Sequence, residues 1–125
     1  KPAQPNTPNI SNAKKNIRKE TCWLLSNVAA GNANQISTLT HTKGLLPLVI
    51  GQMAAGEFEV RKEAAWVVSN VATGGNRGHV QLLVDSGAIK PLCDLLTLDD
   101  VKLVEVALDA LEAVSHTQGT LGPSE

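Results

Sequence analysis

The chain has 125 residues, the size of one domain, and 42% of them are hydrophobic, enough for a packed core. Its net charge of −1 and isoelectric point near 6.3 argue against a non-specific nucleic-acid binder, a class that is usually basic with a pI above about 9. No run approaches the ~20 apolar residues of a membrane span, and the N-terminus carries neither an apolar signal core nor an initiator Met, so the missing address says little about a parent protein.

Residues 1–13 hold Pro2, Pro5 and Pro8 among Asn, Ser and Thr, with Ile10 the one large apolar side chain. Such a composition buries too little surface to order itself and predicts a flexible arm or a long loop. From near Lys15 the pattern becomes helical and runs to Gly31, with Thr21, Leu24, Leu25 and Val28 forming an apolar stripe. A short helix over 32–41 turns Ile36 and Leu39 inward, and Thr42-Lys43-Gly44 breaks it. A second helix spans Leu45–Met53, with Pro47 tolerated in its first turn, and Ala54-Ala55-Gly56 breaks the chain again. Phe58–Thr73 is the next long helix. The order then recurs: Gly78–Val84, a turn at Asp85-Ser86-Gly87, Ala88–Leu96, a loop at Leu98-Asp99-Asp100 with a capping carboxylate, and Val101–His116 with Ala107, Ala110, Leu111 and Val114 as its stripe. The tail from Thr117, with Gly119, Gly122 and Pro123, reads as frayed.

Arg18-Lys19-Glu20-Thr21-Cys22-Trp23-Leu24-Leu25-Ser26-Asn27 returns 43 residues later as Arg61-Lys62-Glu63-Ala64-Ala65-Trp66-Val67-Val68-Ser69-Asn70, and Gly31 returns as Gly74. Three helices in such a period fit the armadillo class, whose repeat is roughly 40–47 residues. The expected fold is therefore all-α: a right-handed superhelical solenoid with three helices per repeat. It comprises the third helix of a partial repeat over 14–31, full repeats over 32–74 and 75–117, and the frayed end over 118–125. Repeats bury their stripes against neighbours, so the ends of this array should expose apolar surface.

A helix turns about 100° per residue. On the second long helix Ala64, Val67, Val68 and Val71 gather on one side, while Glu63, Trp66 and Asn70 fall on the other, the ring roughly 150° from the stripe's centre. Glu20, Trp23 and Asn27 stand the same way on the first. Aromatic residues make up only 2% of the chain, so two Trp at one repeat position, aimed away from the core, are informative. Packing on an adjacent long helix is the competing reading; the opposed stripe and the polar Asn beside each ring favour an exposed, partner-binding ladder. An Asn amide can grip a peptide N–H and C=O together. Stacked helices lie about 8–10 Å apart and an extended peptide advances about 3.3–3.6 Å per residue, so one repeat matches two to three ligand residues. Indole slots between the Asn side chains would take Lys or Arg, and Glu63 would add a charge-assisted bond. Ser26 and Ser69 could add hydroxyls at the rim. Lys19 and Lys62, on the same broad face, would oppose a basic ligand.

Lys-Glu-x-x-Trp-x-x-Ser-Asn followed by Gly at this period, with Asp85-Ser86-Gly87-Ala88-Ile89 between long helices, resembles the importin-α (karyopherin-α) family over about residues 14–117. The resemblance implies a nuclear import adaptor that binds lysine- and arginine-rich nuclear localisation signals and moves between cytoplasm and nucleus. The last long helix has Asp109 at the Trp position and Ala113 at the Asn position, which resembles the C-terminal end of the array. Trp23, Asn27, Trp66 and Asn70 would then belong to the family's minor signal site, with Glu63 and Ser26 helping to hold basic side chains. Importin-β and the export receptor would engage regions of the parent chain mostly absent here. An armadillo scaffold of the adhesion or signalling kind is the alternative.

No nucleophile–base–acid set, phosphate loop or metal-ligand spacing stands out, so neither an enzyme nor a cofactor is expected. Cys22 and Cys93 form no CxxC pair and read as small buried apolar residues in a reducing setting. His41, His79 and His116 lie near helix ends and read as surface or capping residues.

Overall fold

A computed structural model describes the backbone of residues 3–120 and the side chains of residues 13–117. Among the described residues the chain forms helices and no strands: α1 (Ala3–Ala29), α2 (Ala33–His41), α3 (Leu45–Ala55), α4 (Phe58–Gly74), α5 (Arg77–Asp85), α6 (Ile89–Leu95) and α7 (Val101–Thr120). The long helices α1, α4 and α7 stack in that order, with α4 packed against both others; α3 and α6 pack against α4 and α7 respectively and against each other, and α2 packs against α5.

The stack explains which apolar residues are covered. Val60, Ala64, Val67 and Val71 of α4 are buried, and so are Leu103, Ala107, Ala110 and Val114, which stand 43 residues further on in α7. The matching positions of α1 are Ile17, Thr21, Leu24 and Val28. There Ile17 is 64% exposed and Leu24 58% exposed, Thr21 is exposed and Val28 half-buried. The stripe expected on the first long helix is thus present but largely uncovered, because no described helix lies in front of it. What α1 buries is Cys22, Ser26 and Ala29, about a third of a turn round from that stripe. Beside the uncovered stripe, Ile17, Cys22, Leu25, Leu45, Leu48 and Val49 line an apolar pocket of about 230 Å³ between α1 and α3.

Two boundaries differ from expectation. The first helix begins at Ala3 rather than near Lys15, so residues 3–13 are helical instead of a flexible arm; Lys1 and Pro2 lie outside the described residues. Pro5 falls in the first turn, where backbone N–H groups have no intrahelical acceptor in any case, so the proline there costs the helix little. At the other end α7 continues past His116 to Thr120, and the expected frayed residues 121–125 lie outside the described residues.

The short connections follow from their residues. Gly44 and Gly87, 43 residues apart, have φ of 78° and 89° and let the chain turn into α3 and α6 through a conformation that strains other residues. The Asp100 carboxylate accepts the Leu103 N–H at 2.9 Å and caps α7. Capping boxes open α2 and α5: Asn32 pairs with Gln35, and Asn76 with His79. Cys22 is buried as expected, but Cys93 is exposed, since α6 turns Leu92 and Leu95 inward and carries the thiol on its outer side.

His79 caps its helix, as the sequence suggests, yet it is buried rather than a surface residue. Its Nδ1 accepts the Asn76 N–H at 3.0 Å, which leaves Nε2–H to donate to the Ser37 hydroxyl at 2.7 Å. One neutral ring therefore closes the box of α5 and ties it to α2. The His41 ring stands edge-on to it with centroids 6.4 Å apart. Burial, helped by the nearby His41, pushes the His79 pKa below its ordinary value of 6.5. The unfolded chain then takes the proton more readily than the folded one, so this contribution to stability is complete above about pH 6.5 and drains away below it. Thermal unfolding followed from pH 8 to pH 5 should show a midpoint that falls below about pH 6.5. His79→Gln, which copies the Gln35 box of α2, should flatten that slope; an unchanged slope in the variant would contradict this assignment.

Candidate peptide-binding face

Packing uses the sides of α4 that face α1, α7 and α3, and leaves one direction open. Trp66 points along it and is 37% exposed; Trp23, one repeat earlier, is 53% exposed. Each Asn stands one turn beyond its ring, Asn27 exposed and Asn70 half-buried. Glu20 is exposed and Glu63 half-buried on the same side. The indoles are thus at the surface, on the side opposite the apolar stripes.

Asn70 is held in place by the neighbouring helix: its Nδ2 donates to the Ser26 carbonyl at 3.0 Å, across a separation of 44 residues in sequence. That leaves the second N–H and Oδ1 of the amide for another partner. Ser26 contributes its carbonyl and not its hydroxyl. The hydroxyl is buried and donates to the Trp23 carbonyl at 2.6 Å, and Ser69 is buried as well. The rim hydroxyls expected from the sequence are therefore turned inward, because the Ser positions share the small-residue side by which one long helix approaches the next.

Between α1 and α4, Lys19, Glu20, Trp23 and Glu63 line a depression of about 260 Å³. It has an indole wall and two carboxylates, offset by one ammonium. The cations next to Glu63 in the sequence are engaged elsewhere: Arg61 Nε donates to the Met53 carbonyl at 2.9 Å, while Lys62 Nζ sits 3.8 Å from Asp100 and 5.5 Å from the Phe58 ring centroid. Lys62 is therefore drawn off towards α7, and the repulsion expected from it is reduced. Further along the α1–α4 seam, Lys15 pairs with Glu59 at 3.6 Å and Arg18 with Glu57 at 2.7 Å; the Arg18 guanidinium holds the Glu57 carboxyl below the usual carboxylate range. Burial, with the Glu63 carboxylate nearby, pushes the Cys22 thiol up and keeps it protonated.

On α7, Asp109 is exposed and Ala113 half-buried where the other long helices carry Trp and Asn. One residue of this face escaped sequence reasoning. Lys102 of α7 places its Nζ 6.0 Å from the Trp66 ring centroid. The available signal was the repeat itself, since Lys102 stands 43 residues after Glu59, where the period exchanges an acid for a base.

Among the described residues, seven helices in which a short, a medium and a long member recur, with the long ones stacked, define an armadillo-repeat protein, and the Armadillo/beta-catenin-like repeat family matches residues 76–112. Importin subunit alpha-4 of Arabidopsis thaliana is 52% identical over 103 residues, covering 82% of this chain and 19% of that protein. Importin subunit alpha-3 of the same plant is 47% identical over 104 residues, 83% of this chain and 19% of its own length. The chain belongs to the importin-α family and spans about a fifth of the length of these relatives. Among solved structures, a designed armadillo repeat protein in complex with a (KR)4 peptide superposes with a TM-score of 0.73 at 29% identity, covering 82% of this chain and 45% of that one.

The exposure of the two rings is directly measurable. In Trp66→Phe and Trp23→Phe variants the remaining indole should emit at the long wavelengths of a hydrated ring and be quenched by acrylamide, Trp23 more strongly than Trp66. Blue-shifted emission that resists quenching would contradict the placement of these rings.

Proposed function

We propose that this chain belongs to a nuclear import adaptor and reads lysine- and arginine-rich nuclear localisation signals as extended peptides laid across α1, α4 and α7. The observation that carries the reading is the slot at Trp23, where an exposed indole is flanked by Glu20 and Glu63 against the single ammonium of Lys19, while the nearby Lys15, Arg18, Arg61 and Lys62 are engaged by other groups. A ligand Lys or Arg lays its methylenes on the ring and its charge between the carboxylates. Asn70, already oriented by the Ser26 carbonyl, offers its remaining N–H and Oδ1 to one peptide unit of the ligand, and Asn27 has the same role in the preceding repeat. Trp66 supplies the second ring. Ser26 acts through its backbone, as a positioning residue for Asn70.

Membership of the importin-α family supports this reading, and so does the likeness to a designed armadillo protein in complex with a (KR)4 peptide. The carboxylates beside Trp23 disfavour an acidic or phosphorylated partner. In the parent protein this stretch would serve as the minor of two signal sites, with importin-β and the export receptor engaged by other regions of the chain, in traffic between cytoplasm and nucleus.

Calorimetric titration of the chain with a lysine-rich signal peptide should give micromolar or tighter binding. Trp23→Ala should weaken it about 2- to 30-fold, the range of one cation–indole contact. Asn70→Ala should weaken it as well, and replacing the ligand lysines by glutamates should abolish it. Equal affinity in the wild type and both variants would rule out the ladder.

A further inference from the structure

The two indoles have unlike neighbours. Trp23 of α1 is followed 36 residues later by Glu59 of α4, and Trp66 of α4 is followed at the same interval by Lys102 of α7. The Glu59 carboxylate stands 3.6 Å from Lys15. The Lys102 ammonium lies within reach of the Trp66 ring, 6.0 Å from its centroid, and 4.0 Å from the Glu105 carboxylate. A cation at that distance over an indole is attracted by the ring's negative face. Lys102 is thus in the place that a ligand lysine would take on the α7 side of Trp66, held there by the ring and by a neighbouring acid on its own helix.

We infer that Lys102 is a built-in occupant of the second indole, so that the face at Trp66 rejects a ligand cation and accepts an uncharged or acidic residue instead. This rests on the peptide-reading function proposed above and refines it: the chain reads a basic residue at Trp23 and, two to three residues along the peptide, the absence of one. A ligand lysine arriving at Trp66 has to displace Lys102 and remain beside it, like charge against like. An alanine or glutamate disturbs neither the ring contact nor the Lys102–Glu105 pair, and a glutamate gains the Lys102 ammonium as a partner. The substitution of Trp by Asp109 and of Asn by Ala113 on α7 runs the same way, since the ladder has no further ring or amide to offer beyond this point.

The test uses peptides with one fixed anchoring lysine and Lys, Ala or Glu placed two or three residues to either side of it. The wild-type chain should bind the Ala and Glu peptides at least as tightly as the Lys peptide. Lys102→Gln should improve binding of the Lys peptide about fivefold, and Lys102→Glu, which copies Glu59, should make it the preferred ligand. An unchanged order of affinities in both variants overturns the inference while leaving the proposed function standing. If no basic peptide binds the wild type at all, the proposed function fails, and the placement of Lys102 is decided in the free protein. There the Lys102 ε-methylene protons should show an upfield ring-current shift that disappears in Trp66→Leu; resonances at the same position in both proteins overturn the inference by themselves.

Discussion

The structure depends on a constraint placed on α4, which has to bury several sides of one helix and still leave one free. Val60, Ala64, Val67 and Val71 form one covered side, Ala65, Ser69 and Ala72 a second, and Val68, between them, is buried too. The second set is small, and its counterparts on α1 are the equally small Cys22, Ser26 and Ala29. Small residues at the contact let long helices stand close, and close stacking sets a ladder spacing that an extended peptide can match. With those directions taken, Glu63, Trp66 and Asn70 have one way to point. The open face is therefore a consequence of the packing. A bulky side chain at Ser26 or Ser69 would push the helices apart and move the ladder with them.

Charge finishes what packing begins. The seam between α1 and α4 is rich in cations, and a basic ligand could not approach if they were loose. Most are tied down: Lys15 to Glu59, Arg18 to Glu57, Lys62 to Asp100, and Arg61 to a backbone carbonyl. Such surface pairs contribute little to stability, each worth about 0–1 kcal/mol. Their value here is directional, because they draw positive charge away from the slot at Trp23 and leave Glu20 and Glu63 opposed there by the ammonium of Lys19. Where the arrangement is reversed, with Lys102 laid over Trp66, the same chemistry closes a position instead of opening it.

Much of this was legible in the sequence because a repeat reports its own geometry. The 43-residue recurrence fixed the helix order, the glycine turns at Gly44 and Gly87 and the outward direction of both tryptophans, and the last of these needed only about 100° per residue. What stayed hidden was whatever depends on a neighbour. The repeat logic called for exposed apolar surface at the array's ends but not for the residues that carry it, and the stack places it at Ile17 and Leu24 of α1. Ser26 precedes Asn27 by one residue, and that single step carries the hydroxyl from the open side to the packed one. Composition misjudged residues 3–13, where prolines suggested an arm although one of them falls in the tolerant first turn of a helix. Lys102 was missed because its partner lies on another helix.

The central claim is that a basic peptide lies extended across the long helices with its main chain on the Asn amides. A crystal structure of the chain with a lysine-rich signal peptide tests it most directly. The account predicts a peptide in extended conformation, with one lysine between Trp23 and Glu63 and a peptide unit bonded to Nδ2 and Oδ1 of Asn70. A peptide bound as a helix, or seated in the apolar pocket between α1 and α3 with both indoles untouched, would contradict it.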